Sequence, residues 1–319
     1  YQNFVVDNLR KYYPDPDAIS QSTWDIIDRF WNLDLSYTDQ NMISKYSKFG
    51  PAPRTPSCMH RSYLLSIDFK VVSITEWVSQ LKINPLYAIL SGFEVGDTPG
   101  IGTFYDFFSR LWDSDDDNLP SHLHKLKATV KKPDKKGSKA KPIDKVTVEE
   151  LFKQLEGTTF LIGDQPYSSL FELFKKEFLE NSVRKGLINS SNLSIAGDGT
   201  HVVTSARERK HRVCDCAEKG ITDCDCERYF SQPDCDIGWD SSRDCFYYGY
   251  DLYMIVASDS EGDLPVFPLL NPASMHDSHG FLHSFFRMKS FLPDYNVRKL
   301  LLDSAHDAMP YYEYCKKER

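Results

Sequence analysis

The sequence predicts an α+β protein in which a helical N-terminal domain precedes an α/β domain built on a mixed sheet. Three observations predict it. Apolar residues recur at helical spacing through the first 112 residues, strand-like patterns begin at Leu193, and a Lys-rich stretch with Pro and Gly separates the two regions. The 319 residues suffice for two domains at about 100–200 residues each. With 41% hydrophobic and 26% charged residues, the composition is that of a globular chain and excludes a disordered one. No apolar run approaches the roughly 18 residues that span a bilayer, and no basic-then-apolar signal opens the chain. A cytoplasmic protein with no membrane partner is therefore expected. The chain starts on Tyr1 rather than Met and stops at Arg319 directly after a helical pattern, so both ends are expected to be cuts through longer sequence.

The helical domain is expected over residues 1–118. Ser22-Thr-Trp-Asp25 reads as an N-cap followed by an acid, ahead of Ile26, Ile27, Phe30 and Trp31. Gly50 to Pro56 is a loop, because its prolines remove backbone donors. Ile74 to Phe93 is helical, with Pro85 as a break or a fresh start. A Gly-containing turn, Gly96 to Gly102, leads into the aromatic-rich helix Thr103–Trp112. Helix, turn and helix are compatible with a helix-turn-helix DNA reader and equally with a plain bundle that packs its aromatics.

Residues 119–146 form a linker or surface loop by composition. Lys125 to Lys145 carries nine Lys against two Asp, within a chain of formal net charge −8. An acidic total opposes DNA binding, since phosphate neutralisation supplies most sequence-independent affinity. The Lys-rich stretch is the place where such contacts are expected, unless it is simply a solvated loop.

The α/β domain is expected over residues 147–319. Val148–Leu155 and Ser168–Phe178 read as amphipathic helices leading into it. Strands follow at Leu193–Thr204, Phe246–Val256 and Leu264–Leu270, the last marked as an edge by Pro265 and Pro268. Gly280–Phe291 is a helix, Val297–Asp303 a buried strand, and Asp307–Tyr314 the start of another helix. A three-strand meander, a helix crossover and a parallel fourth strand are how the RNase H-like fold begins.

Two acids stand out on that frame. Asp198 and Asp303 lie on the first and fourth strands, which are neighbours in such a sheet. Two carboxylates there can share a divalent cation, as two-metal phosphoryl transfer requires. Asp303 follows Leu300-Leu-Leu302, and a carboxylate buried among apolar neighbours needs a partner, which a metal supplies. Taken singly, each Asp also fits a turn or helix cap.

Pro85-Leu-Tyr-Ala-Ile-Leu-Ser-Gly-Phe93 followed by Gly102-Thr-Phe-Tyr-Asp-Phe-Phe108 resembles the N-terminal region of bacterial insertion-sequence transposases of the DDE class. Gly197-Asp-Gly-Thr200, Gly238-Trp-Asp-Ser-Ser242, Tyr248-Gly-Tyr-Asp-Leu-Tyr253 and Leu302-Asp-Ser-Ala-His-Asp307 resemble successive pieces of that family's catalytic domain, in order. The resemblance implies that Asp198 and Asp303 are the first two members of an Asp-Asp-Glu triad. It also implies Mg²⁺ or Mn²⁺, nicking at element ends, and strand transfer by the freed 3′-hydroxyl. The partners would be the terminal repeats and target DNA, with a homodimer as the working form. The family's Glu lies on a later helix in a Tyr-x2-Arg-x3-Glu-x6-Lys context, which this chain does not reach. Glu313 and Glu318 follow the fourth strand too closely, so the chain by itself is expected to be a weak or inactive catalyst.

A Cys-rich insertion spans residues 205–245. Cys214-Asp-Cys216 and Cys224-Asp-Cys226, with Cys235, Cys245 and His211 nearby, offer four thiolates in two close pairs for a structural Zn²⁺. Reduced free cysteines or disulfides are the alternatives, the disulfides disfavoured in a reducing compartment. The corresponding whole-chain alternative is a non-catalytic, zinc-stabilised DNA-binding protein. His279 and His283 are four apart but lack the Glu of a zinc-hydrolase motif, so they, His276 and His306 are expected to be core or surface residues.

Overall fold

The computed structural model describes residues 1–112, 146–160, 168–204, 211–212, 216, 218–221, 228–229 and 235–318. The chain divides into two compact units. Tyr1–Asp113 with Tyr167–Glu180 forms the first, and Ser114–Pro166 with Asn181–Arg319 forms the second.

In the first unit, helices α1 (Gln2–Tyr12), α2 (Gln21–Trp31), α3 (Ser36–Met42), α4 (Pro56–Asp68), α5 (Ile74–Ile83), α6 (Pro85–Ser91) and α7 (Ile101–Trp112) pack their apolar faces together. The cap of α2 is Ser20, whose side chain accepts from the Thr23 amide, so Ser22 lies inside the helix rather than before it. Pro85 starts a new helix: Asn84 accepts from the Leu86 amide, and a proline at the first helical position loses no bond. Trp77, Phe104 and Phe107 are fully buried, and the Trp77 indole donates to Ser62 Oγ at 2.9 Å. The aromatics on the covered face of α7 thus fill a bundle core.

In the second unit, α8 (Val148–Leu155) opens with a reciprocal capping box between Thr147 and Glu150. The segment from Ser168 was expected to lead into this unit, but Tyr167–Glu180 belongs to the first. Helix α9 (Ser168–Phe174) widens into a π-helical turn over Lys175–Leu179 before α10 (Glu180–Arg184). Leu173 joins the helical core, and the buried Glu177 accepts from the Thr38 amide at 2.8 Å and the Thr38 hydroxyl at 2.7 Å. Those two bonds to a buried carboxylate hold the segment with α3.

The sheet of the second unit is mixed. Strand β1 (Leu193–Val203) leads through the short antiparallel pair β2 (His211–Arg212) and β3 (Arg228–Tyr229) to β4 (Asp236–Asp240). β5 (Cys245–Ala257) and β6 (Leu264–Pro272) follow, then α11 (Asp277–Phe291), β7 (Val297–Leu301) and α12 (Met309–Lys317). The thirteen-residue β5 pairs antiparallel with β1, β4 and β6, while β1 also pairs parallel with β7. Residues 247 to 257 of β5 alternate buried and half-buried, and the buried set, with Leu193 and Ile195 of β1, lies under α11. The sequence pattern missed β4, whose five residues include two Asp and a Gly. Pairing with β5 makes it a strand despite that composition.

Candidate functional site

Ile195 stands opposite Leu300 and Ala196 opposite Leu301 in the parallel β1–β7 pair. Asp198 and Asp303 each lie two residues past that last pairing, so neighbouring strands bring the two acids toward one end of the sheet.

Their local bonds are modest. Asp198 Oδ1 accepts from the Gly199 amide at 2.9 Å. Asp303 Oδ1 accepts from the Ala305 amide at 3.0 Å, capping the 3-10 turn Ser304–His306. The expected burial of Asp303 is not found: its side chain is 59% exposed. Among the described residues β7 has a strand partner on one side only, and Leu301, Arg298 and Lys299 are exposed with it. A metal is therefore not needed to offset burial at Asp303, and its cap role stands on its own.

His306 ties this end of the sheet to the core. Its ring is buried, with Nδ1 at 2.6 Å from Asp303 Oδ1 and Nε2 at 3.0 Å from the Tyr253 hydroxyl. A carboxylate only accepts, so Nδ1 donates to Asp303, which in a neutral ring leaves Nε2 to accept from Tyr253. Tyr253 is fully buried. Burial, then Tyr311, Asp277, Asp198 and Asp303, push its phenol far above the usual range, so it remains a donor.

A second group of acids lies on the α11 side. Asp251 of β5 is 4% exposed, and burial, then Asp277 and Asp198, push its carboxyl up to about 7. A Cβ placed on Gly199 would meet Asp251 Oδ1 at 2.6 Å, Asp251 Oδ2 at 2.9 Å and Asp277 Oδ1 at 2.9 Å. Only glycine leaves that space open. Sequence reasoning missed both acids. The available signal was parity, because Asp251 is the only charged residue in the buried series Tyr247, Gly249, Asp251, Tyr253, Ile255, Ala257. Asp277 gave no such signal, since an acid in the first turn of a helix is ordinary.

The remaining candidates separate. Cys214, Cys224 and Cys226 fall outside the described residues, as does the Lys-rich stretch apart from Val146. Cys216 is half-buried, Cys235 buried and Cys245 exposed. His279 Nε2 lies 2.9 Å from the Val146 carbonyl oxygen, and His283 is pushed down to about 4 by burial, with Arg287 and His279 adding to it. Among the described residues, no three His, Cys, Asp or Glu side chains form a group that could hold a metal ion, and no helix is long and apolar enough to cross a membrane.

No protein-family model matches this chain, and neither a curated protein nor a solved structure matches it. Its chemistry has to be read from its own side chains. Those offer exposed carboxylates at one end of β1 and β7, a buried Tyr–His pair behind one of them, and two acids that converge where the first turn of α11 meets β5.

Proposed function

We propose that the chain is a DDE-class transposase, with an RNase H-like second unit that cuts DNA and transfers strands with metal assistance. One observation carries the reading: Asp198 and Asp303 follow the last paired residues of two parallel, adjacent strands. The chain path supports it, with the meander β1–β5–β6 followed by α11 and a parallel β7.

The donor set fits Mg²⁺ or Mn²⁺. Both acids are exposed hard-oxygen ligands, their local bonds use Oδ1 only, and Mg²⁺ takes one or two carboxylates along with water and phosphate oxygens. When bound, such a cation supplies activation of the attacking oxygen and charge relief at the leaving oxygen. The Ala305 amide and His306 hold Asp303 in one orientation through Oδ1 and leave Oδ2 outside those bonds. Under this reading, terminal repeats and target DNA are the partners and a homodimer is the working form. Cys214, Cys216, Cys224 and Cys226 hold a structural Zn²⁺.

The test is nicking of supercoiled DNA in Mg²⁺ or Mn²⁺ by the protein that carries this chain. Cleavage is expected to need the metal and to be lost in Asp198→Ala and Asp303→Asn. Undiminished cleavage in either variant rejects the reading. DNA binding that survives both substitutions, without metal-dependent cleavage in the parent, favours a non-catalytic DNA-binding protein.

A further inference from the structure

Asp251 of β5 and Asn271 of β6 are directly paired across the sheet, and each is 4% exposed. Asp251 Oδ2 and Asn271 Nδ2 are both buried without a hydrogen-bond partner. A buried polar group left unpaired costs about 1–3 kcal/mol, and more when charged. The first turn of α11 brings Asp277 Oδ1 to the same point above Gly199 that both Asp251 oxygens approach. Two carboxylates therefore converge over a strand position that has no side chain.

Among the described residues the charges acting on Asp251 are Asp277 and Asp198, both acidic. Like charges this close require a proton or a cation between them. No hydrogen bond among the described residues reaches Asp251 Oδ2. A hard cation takes carboxylate oxygens at about 2.1 Å. The two ends of an Asn amide are interchangeable in such an assignment, and turning Asn271 places its oxygen where Nδ2 stands. A cation lying between the two would satisfy both orphaned atoms.

We propose a divalent-cation site on the α11 side of the sheet, in which Asp251 and Asp277 hold a hydrated Mg²⁺ or similar hard cation with Asn271 as a third oxygen donor. It is separate from the Asp198–Asp303 pair. Asp251 is paired with His201 and Asp198 with Met254, so alternation turns the two acids to opposite faces of the sheet. The site does not depend on the chain being a transposase.

Mn²⁺ is the probe, followed by loss of the free-ion electron paramagnetic resonance signal. The Asp198→Ala/Asp303→Asn protein is expected to keep one saturable Mn²⁺ site. Adding Asp251→Asn or Asp277→Asn should weaken it at least as much as the roughly 10–100-fold that loss of an outer-shell partner costs. Binding unchanged by both substitutions overturns the proposal. So does the absence of Mn²⁺ binding in the Asp198→Ala/Asp303→Asn protein. Because Asp251 is buried, Asp277→Asn guards against a variant that fails to fold. Mg²⁺ should raise the melting temperature of the Asp198→Ala/Asp303→Asn protein and not that of the same protein carrying Asp277→Asn. An Asp198→Ala/Asp303→Asn protein whose melting ignores Mg²⁺ has a proton-sharing pair instead, and the proposal falls.

Discussion

Nδ1 of His306 lies 2.6 Å from Oδ1 of Asp303, and the same ring meets the buried Tyr253 hydroxyl through Nε2. The exposed acid at the end of β7 is thereby joined to the middle of β5. His306→Ala removes the partner that the Tyr253 hydroxyl meets among the described residues. That orphaned group is expected to cost about 1–3 kcal/mol in addition to lost packing. Tyr253→Phe made in the His306→Ala background removes the orphan and should therefore cost less than Tyr253→Phe made in the parent. A double-mutant cycle by urea denaturation measures the coupling. Strictly additive losses would show that the two side chains do not act as a unit.

Close approach of backbones makes the second prediction. A Cβ on Gly249 would stand 2.0 Å from the Val202 carbonyl oxygen, in the β1–β5 pairing. The obstruction is main chain, so it cannot rotate away. Gly249→Ala should destabilise the second unit by about 1–3 kcal/mol or more, the range for overpacked positions. Gly262→Ala is a contrasting control, since it tests a left-handed turn with no steric neighbour. A Gly249→Ala protein as stable as its parent would mean that β1 and β5 are not paired at this register.

Much of the strand order was legible, because Phe246–Val256 carries aromatic and β-branched residues and the two prolines of Leu264–Leu270 mark an edge. β6 does pair with β5 alone among the described residues. What the pattern could not give was set by pairing partners. Leu300-Leu-Leu302 reads as buried, yet β7 has one strand neighbour among the described residues, which leaves Leu301 and Asp303 exposed. Asp236–Asp240 has too little β-propensity to be read as a strand and exists by virtue of β5. The cap of α2 was misplaced by two residues because Ser20 and Ser22 are equally good acceptors, and backbone geometry alone selects Ser20. Asp198 and Asp303 were legible as an ordered pair. Asp251 became visible only once register showed which face of β5 is covered.

The third prediction concerns acid stability. His283 on α11 is pushed down from 6.5 to about 4, first by burial and then by the charges of Arg287 and His279. Its folded pKa is depressed, so between these values the unfolded chain binds more protons than the native one at this site. The stability it contributes is fully present above pH 6.5 and is lost as pH falls toward 4. Replacing the ring with an uncharged amide, His283→Gln, removes the titration while keeping a polar group beside Arg287. The urea midpoint of the parent should therefore fall more steeply than that of His283→Gln across this window, with the two curves parallel above it. Parallel curves throughout would show that the ring titrates alike in the folded and unfolded chain, and that α11 does not shield it from water.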